Sequence, residues 1–272
     1  MTDPLLAAVR AGIEVLDLAQ PLFNGMPCSP NHPGFRLSLT RRHGDMVRPD
    51  GSSAASEMIV TGGHVGTHID ALAHASHEGR LFGGADCMAA QTGGVFSELG
   101  VDTIAPMIRP GVFLDIAALH DTSRLDPGYG ITPQDLEGAA ETAGVRVEAG
   151  GVCLINTGWS SLWDDTTAYL GVDSGVPGLT EEAARWLARQ QVIAAGTDTT
   201  AFEQIPPRRG HAVMPVHRIL LVENGIHIIE HLRFDELVDR GATEFVFVLT
   251  PLKIVGGTGS PVRPLALLGA RS

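Results

Sequence analysis

The chain has 272 residues, 44 % hydrophobic and 18 % charged, enough to bury a core, which excludes disorder as the dominant state. Its formal charge is −12, from 19 basic and 31 acidic residues, so phosphate backbones and anionic lipid are repelled and neither a nucleic-acid nor a membrane partner is expected. Lys253 is the only lysine and has no motif around it, which leaves Schiff-base catalysis one poor candidate.

The start, Met1-Thr2-Asp3-Pro4, carries an acid where a secretory leader carries bases, and no apolar run approaches the roughly 18 residues of a membrane span. Cys28, Cys87 and Cys153 are odd in number, far apart and without a C-x-x-C pair. They predict idle thiols in a reducing compartment, hence a cytoplasmic location, rather than a disulfide framework or a thiolate zinc site. Residues 12–18 alternate as an opening strand, followed by a loop rich in Pro and Asn through residue 35. Residues 36–42 alternate again, and 57–61 lead into a glycine-bounded segment, 62–75. The short apolar runs 111–116 (GVFLDI) and 151–156 (GVCLIN) predict buried strands. Thr132-Pro133-Gln134-Asp135 has the cap, the first-turn proline and the acid of a helix start, running to about residue 143. Thr180-Glu181-Glu182 repeats the pattern for a helix to about residue 190. Strands are predicted at 191–195, 226–229 and 244–249. Helices alternate with strands through the second half and no composition break appears, so the expectation is a single α/β domain over 1–272.

The chemistry concentrates in Gly63-His64-Val65-Gly66-Thr67-His68-Ile69-Asp70-Ala71-Leu72-Ala73-His74. Imidazole nitrogens with a carboxylate suit a borderline divalent cation such as Zn, Mn or Fe(II). Residues 64, 68, 70 and 74 share parity, but an extended strand would hold His64 and His68 roughly 13 Å apart, too far for one ion. Gly66, Thr67 and Ile69 are poor helix formers. The prediction is therefore a bent loop from 64 to 70, freed by Gly63 and Gly66, then a short helical turn carrying His74. Further ligands must come from elsewhere. Pro215-Val216-His217 opens a helix-like run to Glu223, and Ile226-His227-Ile228-Ile229-Glu230-His231 reads as a strand. A carboxylate in that strand, Glu230, is either at a strand end in water or a ligand. His227 has the opposite parity from Glu230 and should face another side. His211 reads as an exposed loop residue, and His43, His77 and His120 as ordinary histidines.

The run H-V-G-T-H-I-D-A-L-A-H resembles the H-x-G-T-H-x-D-x-P-x-H motif of the cyclase family, which includes bacterial kynurenine formamidases and isatin hydrolases. The likeness extends over nearly the whole chain, through VLDLAQPLFNGMP near the start, LINTGW (154–159), GTDT (196–199), PVHRILLVENGIHIIEHL (215–232) and TPLKIVGGTGSPVRPLAL. It implies a swivelling β/β/α fold and a homodimer or higher homo-oligomer. It implies that His64, His68 and Asp70 are metal ligands, that His217 and Glu230 are the distal ligands, and that Asp70 and Glu230 bridge when two ions are bound. His74 matches the acid/base histidine. The implied cofactor is Zn(2+) or Mn(2+), one or two per subunit, and the implied reaction is hydrolysis of a small-molecule carbonyl: an amide, cyclic amide or imide, formamide or lactone. The chain departs from the motif at Leu72, where the family has Pro. Its first loop, 27–33, lacks the Trp of the formamidases, which argues against kynurenine-type recognition. Phe23 and Trp159 are candidate substrate-binding walls. Two rival readings are a non-haem Fe(II) oxygenase built on His68, Asp70 and His217, which leaves His64 and Glu230 without a role, and a non-catalytic metal-binding protein. Ser160 lacks a G-x-S-x-G elbow, so a serine hydrolase is not expected.

Overall fold

A computed structural model describes residues 3–210 and 213–270; Met1, Thr2 and His211 lie outside them. Short apolar segments separated by tight turns pair into one nine-stranded mixed sheet. In chain order its strands are β1 (Ile13–Asp17), β2 (His68–Asp70), β3 (Met107–Asp115), β4 (Val152–Asn156), β5 (Ala194–Thr197), β6 (His227–Glu230), β7 (Glu244–Leu249), β8 (Gly259–Pro261) and β9 (Leu265–Gly269). Their spatial order is β1-β9-β7-β3-β4-β5-β6-β2-β8. The middle four, β3 to β6, are parallel, and the strands beyond them on both sides run antiparallel.

The parallel centre follows from its side chains. Every residue of β4 (VCLIN) and β5 (AAGT) is buried, the continuous pattern of strands covered on both faces. Alternate residues feed two cores. Val112, Leu114, Cys153, Ile155 and Ile228 pack on one side against helices α1 (Pro133–Ala143) and α2 (Glu181–Gln190), through Leu136, Ala139, Ala183 and Leu187. Phe113, Val152, Leu154 and Ile229 pack on the other against Leu18, Phe234, Leu237 and Phe247. At Gly196 a Cβ would lie 2.5 Å from the Leu232 Cδ1, so any larger residue there would have to push that leucine aside. Both helices start where their caps predict. Thr132 and Asp135 form a reciprocal capping box, and the Thr180 hydroxyl accepts from the Ala183 amide.

Several expectations shift. The segment 64–70 is not all loop: His68–Asp70 is a strand between β6 and β8. The predicted strand 191–195 begins later, at Ala194, because Gln191 adopts a left-handed conformation that ends α2. Helix Pro4–Ala11, helix Asp235–Arg240 and strands β8 and β9 carry no signal that the patterning singled out. Residues 215–223 form one helical turn that widens into a π-helix. A hairpin of Arg36–Arg41 with Ser56–Val60 is exposed on both faces. No helix among the described residues is long and apolar enough to cross a membrane.

Candidate metal centre

The site lies at the carboxyl ends of the parallel strands, where open α/β sheets collect ligands. In β2, His68 and Asp70 share a face while Ile69 points into the core. Register places Glu230, the last residue of β6, opposite His68. Gly66 turns the chain at φ 65, and Gly63 runs so close to Gly259 that a Cβ would meet its carbonyl oxygen at 2.7 Å. This bend returns His64 over the strand it precedes, with Nδ1 2.7 Å from Asp70 Oδ1. His217 enters from the helical turn after Pro215.

Two carboxylates and two imidazoles then face one another. His68 Nε2 is 3.5 Å from Asp70 Oδ1 and 3.4 Å from Glu230 Oε2. His217 Nε2 is 3.7 Å from Asp70 Oδ2 and 3.4 Å from Glu230 Oε1. The far side of each ring is already engaged. His68 Nδ1–H donates to the Gly66 carbonyl at 2.8 Å, and His217 Nδ1–H to Glu203 Oε1 at 2.6 Å. This outer pairing orients a ligating imidazole and leaves Nε2 for a metal. Asp70 Oδ2 and Glu230 Oε1 are buried without a hydrogen-bond partner. Buried, unpartnered carboxylate oxygens cost several kcal/mol unless a cation compensates them, so the donor set fits a divalent ion. Sets of ligand atoms within 4.8 Å of one another occur in His64, Asp70 and His74, in Asp70, His217 and Glu230, and in His68, Glu230 and His231.

The electrostatics follow from burial against charge. Burial pushes the Asp70 carboxyl up, but the imidazoles of His74, His64 and His68 hold it well below the usual range. Glu230 is likewise lowered, with burial outweighed by His217 and His68. Burial pulls His217 down, yet Glu203 and Glu230 raise it to about 10, so a bound cation would have to displace the Nε2 proton that faces Glu230 at neutral pH. His74 differs: burial dominates and takes it to about 4, despite Asp70. Its ring stacks on His64 with centroids 3.9 Å apart and lies 5.9 Å from His217.

All six residues singled out by motif or resemblance, His64, His68, Asp70, His74, His217 and Glu230, converge here. Glu230 is 5 % exposed, which removes the alternative of a strand end in water. His227 faces away from it, its Nδ1–H donating to the Asp70 carbonyl at 2.8 Å. His120 pairs with Asp135 near α1, far from this chemistry. Phe23 and Trp159 are not among the residues lining the cavity in front of the cluster. Phe23 is a half-exposed loop residue, and Trp159 is buried with its Nε1–H donated to the Tyr169 carbonyl at 2.8 Å. An isolated aromatic carries no periodicity that separates core from pocket. Two cavity histidines escaped the sequence reading. His32, whose ring is 5.1 Å from His64, has only a Pro-Asn-His-Pro loop around it. His231 sits beside Glu230, and that adjacency was its one signal.

The model of the Cyclase family, described as "Putative cyclase", matches residues 16–204. An isatin hydrolase of Roseibium aggregatum is 28 % identical over 80 % of this chain and 77 % of its own length. A kynurenine formamidase of Sphingopyxis alaskensis is 25 % identical over 92 % and 96 %. Among solved structures, one described as a novel cyclase superposes with a TM-score of 0.84 at 26 % identity, covering 97 % of this chain and 91 % of that one. The isatin hydrolase A of Ralstonia solanacearum gives 0.76 at 26 % identity, covering 98 % of each. With a family model spanning most of the chain and the motif folded into a metal-type cluster, the protein belongs to the cyclase family.

Proposed function

We propose that the protein is a metal-dependent hydrolase acting on the carbonyl of a small amide, cyclic amide or imide, formamide or lactone. The observation that carries this reading is the pair of buried carboxylate oxygens, Asp70 Oδ2 and Glu230 Oε1, unpartnered and facing imidazole nitrogens. His64, His68, Asp70, His217 and Glu230 would hold one or two ions. The nitrogen and oxygen set suits Zn(2+) or Mn(2+). A bound ion of this kind supplies a Lewis acid and lowers the pKa of water from about 15.7 to near 7. The names of the two curated relatives, a hydrolase of isatin and a formamidase, support the substrate class.

The chain's own residues supply the rest. His74 is placed to accept a proton from the attacking water at a ring nitrogen and to return it to the leaving nitrogen or oxygen. His64 stacks against that ring and fixes its plane. Glu203 holds the His217 ring through Nδ1, and the Gly66 carbonyl holds His68. Ala201 and Met214 give the cavity an apolar wall. The facial-triad oxygenase reading uses three of these groups and gives no role to the unpartnered Glu230 oxygen. Free thiols at Cys28, Cys87 and Cys153 support a reducing, cytoplasmic setting. The hairpin open on both faces supports a homodimer.

Plasma mass spectrometry tests the reading on protein stripped and refilled with Zn or Mn, as wild type and Glu230→Ala. About two ions per subunit, falling to one or none in the variant, is the expected result. One ion unchanged by the substitution would make the site mononuclear and remove Glu230, and no ion in wild type would end the proposal. His74→Ala is expected to retain the wild-type metal content while turnover of an amide or formamide substrate falls about 10²–10⁴-fold. Wild-type turnover in that variant would deny His74 the acid/base role.

A further inference from the structure

His231 stands beside the cluster with a strained backbone and a ring nitrogen that no motif residue explains. Its φ is 55, a left-handed conformation uncommon outside glycine that persists only where neighbours enforce it. The enforcement is visible. Its N–H donates to the Thr199 carbonyl at 3.0 Å. Its carbonyl accepts the Thr67 hydroxyl at 2.6 Å, and Thr67 Oγ1 also accepts the Gln20 amide at 2.8 Å. Thr67 lies inside the histidine motif, so the strained residue is tied to the segment that carries His64 and His68.

The ring is oriented as firmly. His231 Nδ1 is 2.9 Å from the Tyr169 hydroxyl, which in turn donates its single proton to the Asp198 carbonyl at 2.9 Å. The tyrosine oxygen can therefore only accept from His231. Nδ1 carries the proton, and Nε2 keeps its lone pair. Tyr169 stacks on the imidazole (centroids 5.5 Å apart, planes at 25°), and Trp163 packs edge-on against both rings. His231 is 3 % exposed and lines the cavity, and it offers a ring nitrogen within 4.8 Å of a His68 ring nitrogen and a Glu230 carboxylate oxygen.

We propose that His231 is an additional nitrogen donor of the metal centre, through Nε2 beside His68 and Glu230, and that Tyr169 is its positioning residue. The proposal rests on the metal-dependent reading of the same site. It assigns the left-handed backbone a purpose: a regular continuation of β6 would send residue 231 to the face opposite Glu230, and the turn brings both side chains to one ion.

Chelator competition measures the affinity of the refolded, metal-loaded protein for Zn(2+) in wild type, His231→Gln and Tyr169→Phe. His231→Gln is expected to weaken binding at least tenfold and to change the visible spectrum of the cobalt-substituted protein. Tyr169→Phe is expected to weaken it about 10–100-fold, as loss of an outer partner of a ligating histidine does. A merely structural tyrosine would lower thermal stability and leave affinity and cobalt spectrum untouched. Wild-type affinity and spectrum in His231→Gln would overturn the His231 assignment alone, whereas a wild type that binds no divalent ion would overturn the metal reading with it. Should His231→Gln fail to fold, cadmium-loaded wild type labelled with nitrogen-15 histidine decides. Scalar coupling between the ion and a His231 nitrogen is expected, and its absence overturns the proposal.

Discussion

At the scale of single residues the site depends on positions that carry no chemistry. Gly259, in β8, lies flat against His64: a Cβ there would meet ring atoms at 2.5, 2.9 and 2.9 Å. The ring has little room to yield, since His74 stacks on its other side and its Nε2 is 2.9 Å from Thr258 Oγ1. Gly259→Ala is expected to displace His64 and to weaken Zn(2+) binding about tenfold or more, and the overpacking to cost about 1–3 kcal/mol in urea denaturation of the stripped protein. Unchanged affinity would show that His64 moves without cost or does not ligate. This glycine was invisible in the chain because it lies almost two hundred positions from its partner. His64, His68, Asp70 and His74 were legible because one bend folds a local motif onto itself. Glu230 was legible because a carboxylate in an apolar run needs a compensating partner. His32 and His231 were not, because their meaning depends on which rings lie opposite.

At the scale of elements, capping chemistry was the most transparent signal. Asp135 accepts from the Thr132 amide and hydroxyl, both at 2.8 Å, and from Tyr129, with His120 Nε2 also at 2.8 Å. Burial pushes its carboxyl up, but these hydrogen bonds outweigh it and the group is lowered. A carboxyl lowered in the folded state is deprotonated there while the unfolded chain still binds its proton. Its contribution is therefore full above the ordinary carboxylate range and is lost as pH falls through the folded value. Asp135→Ala is expected to cost about 1–2 kcal/mol at neutral pH. The gap to wild type in urea denaturation should narrow as pH falls below the ordinary carboxylate range; a gap that stays constant would place the stabilisation in packing instead. The elements that patterning missed are those too short for a period. Strand β2 has three residues, so its alternation cannot be told from a loop, and only pairing with β6 and β8 makes it a strand.

At the scale of the molecule, the hairpin of Arg36–Arg41 and Ser56–Val60 stands apart from both cores. Leu37, Leu39 and Ile59 are each more than 40 % exposed, with Leu37 directly opposite Ile59. A two-stranded ribbon with both faces in water is marginal by itself, so a second copy of the chain is the expected cover. Light scattering is expected to give a dimer for wild type and a monomer for Leu37→Asp/Ile59→Asp. A dimeric variant would remove the hairpin from the interface, and a monomeric wild type would end the homodimer proposal. The α/β class, the two long helices and most central strands were readable from the chain, because apolar runs and caps are local consequences of side-chain chemistry. So was the metal-type motif, whose four residues lie within eleven positions of chain. The tertiary structure alone decided that Asp70 and Glu230 face each other and that His217 closes the gap between them. It also decided that a strained His231 joins them. The first is set by antiparallel register across β2 and β6, the others by the helical turn after Pro215 and the left-handed turn at His231, and no local pattern encodes how these segments meet.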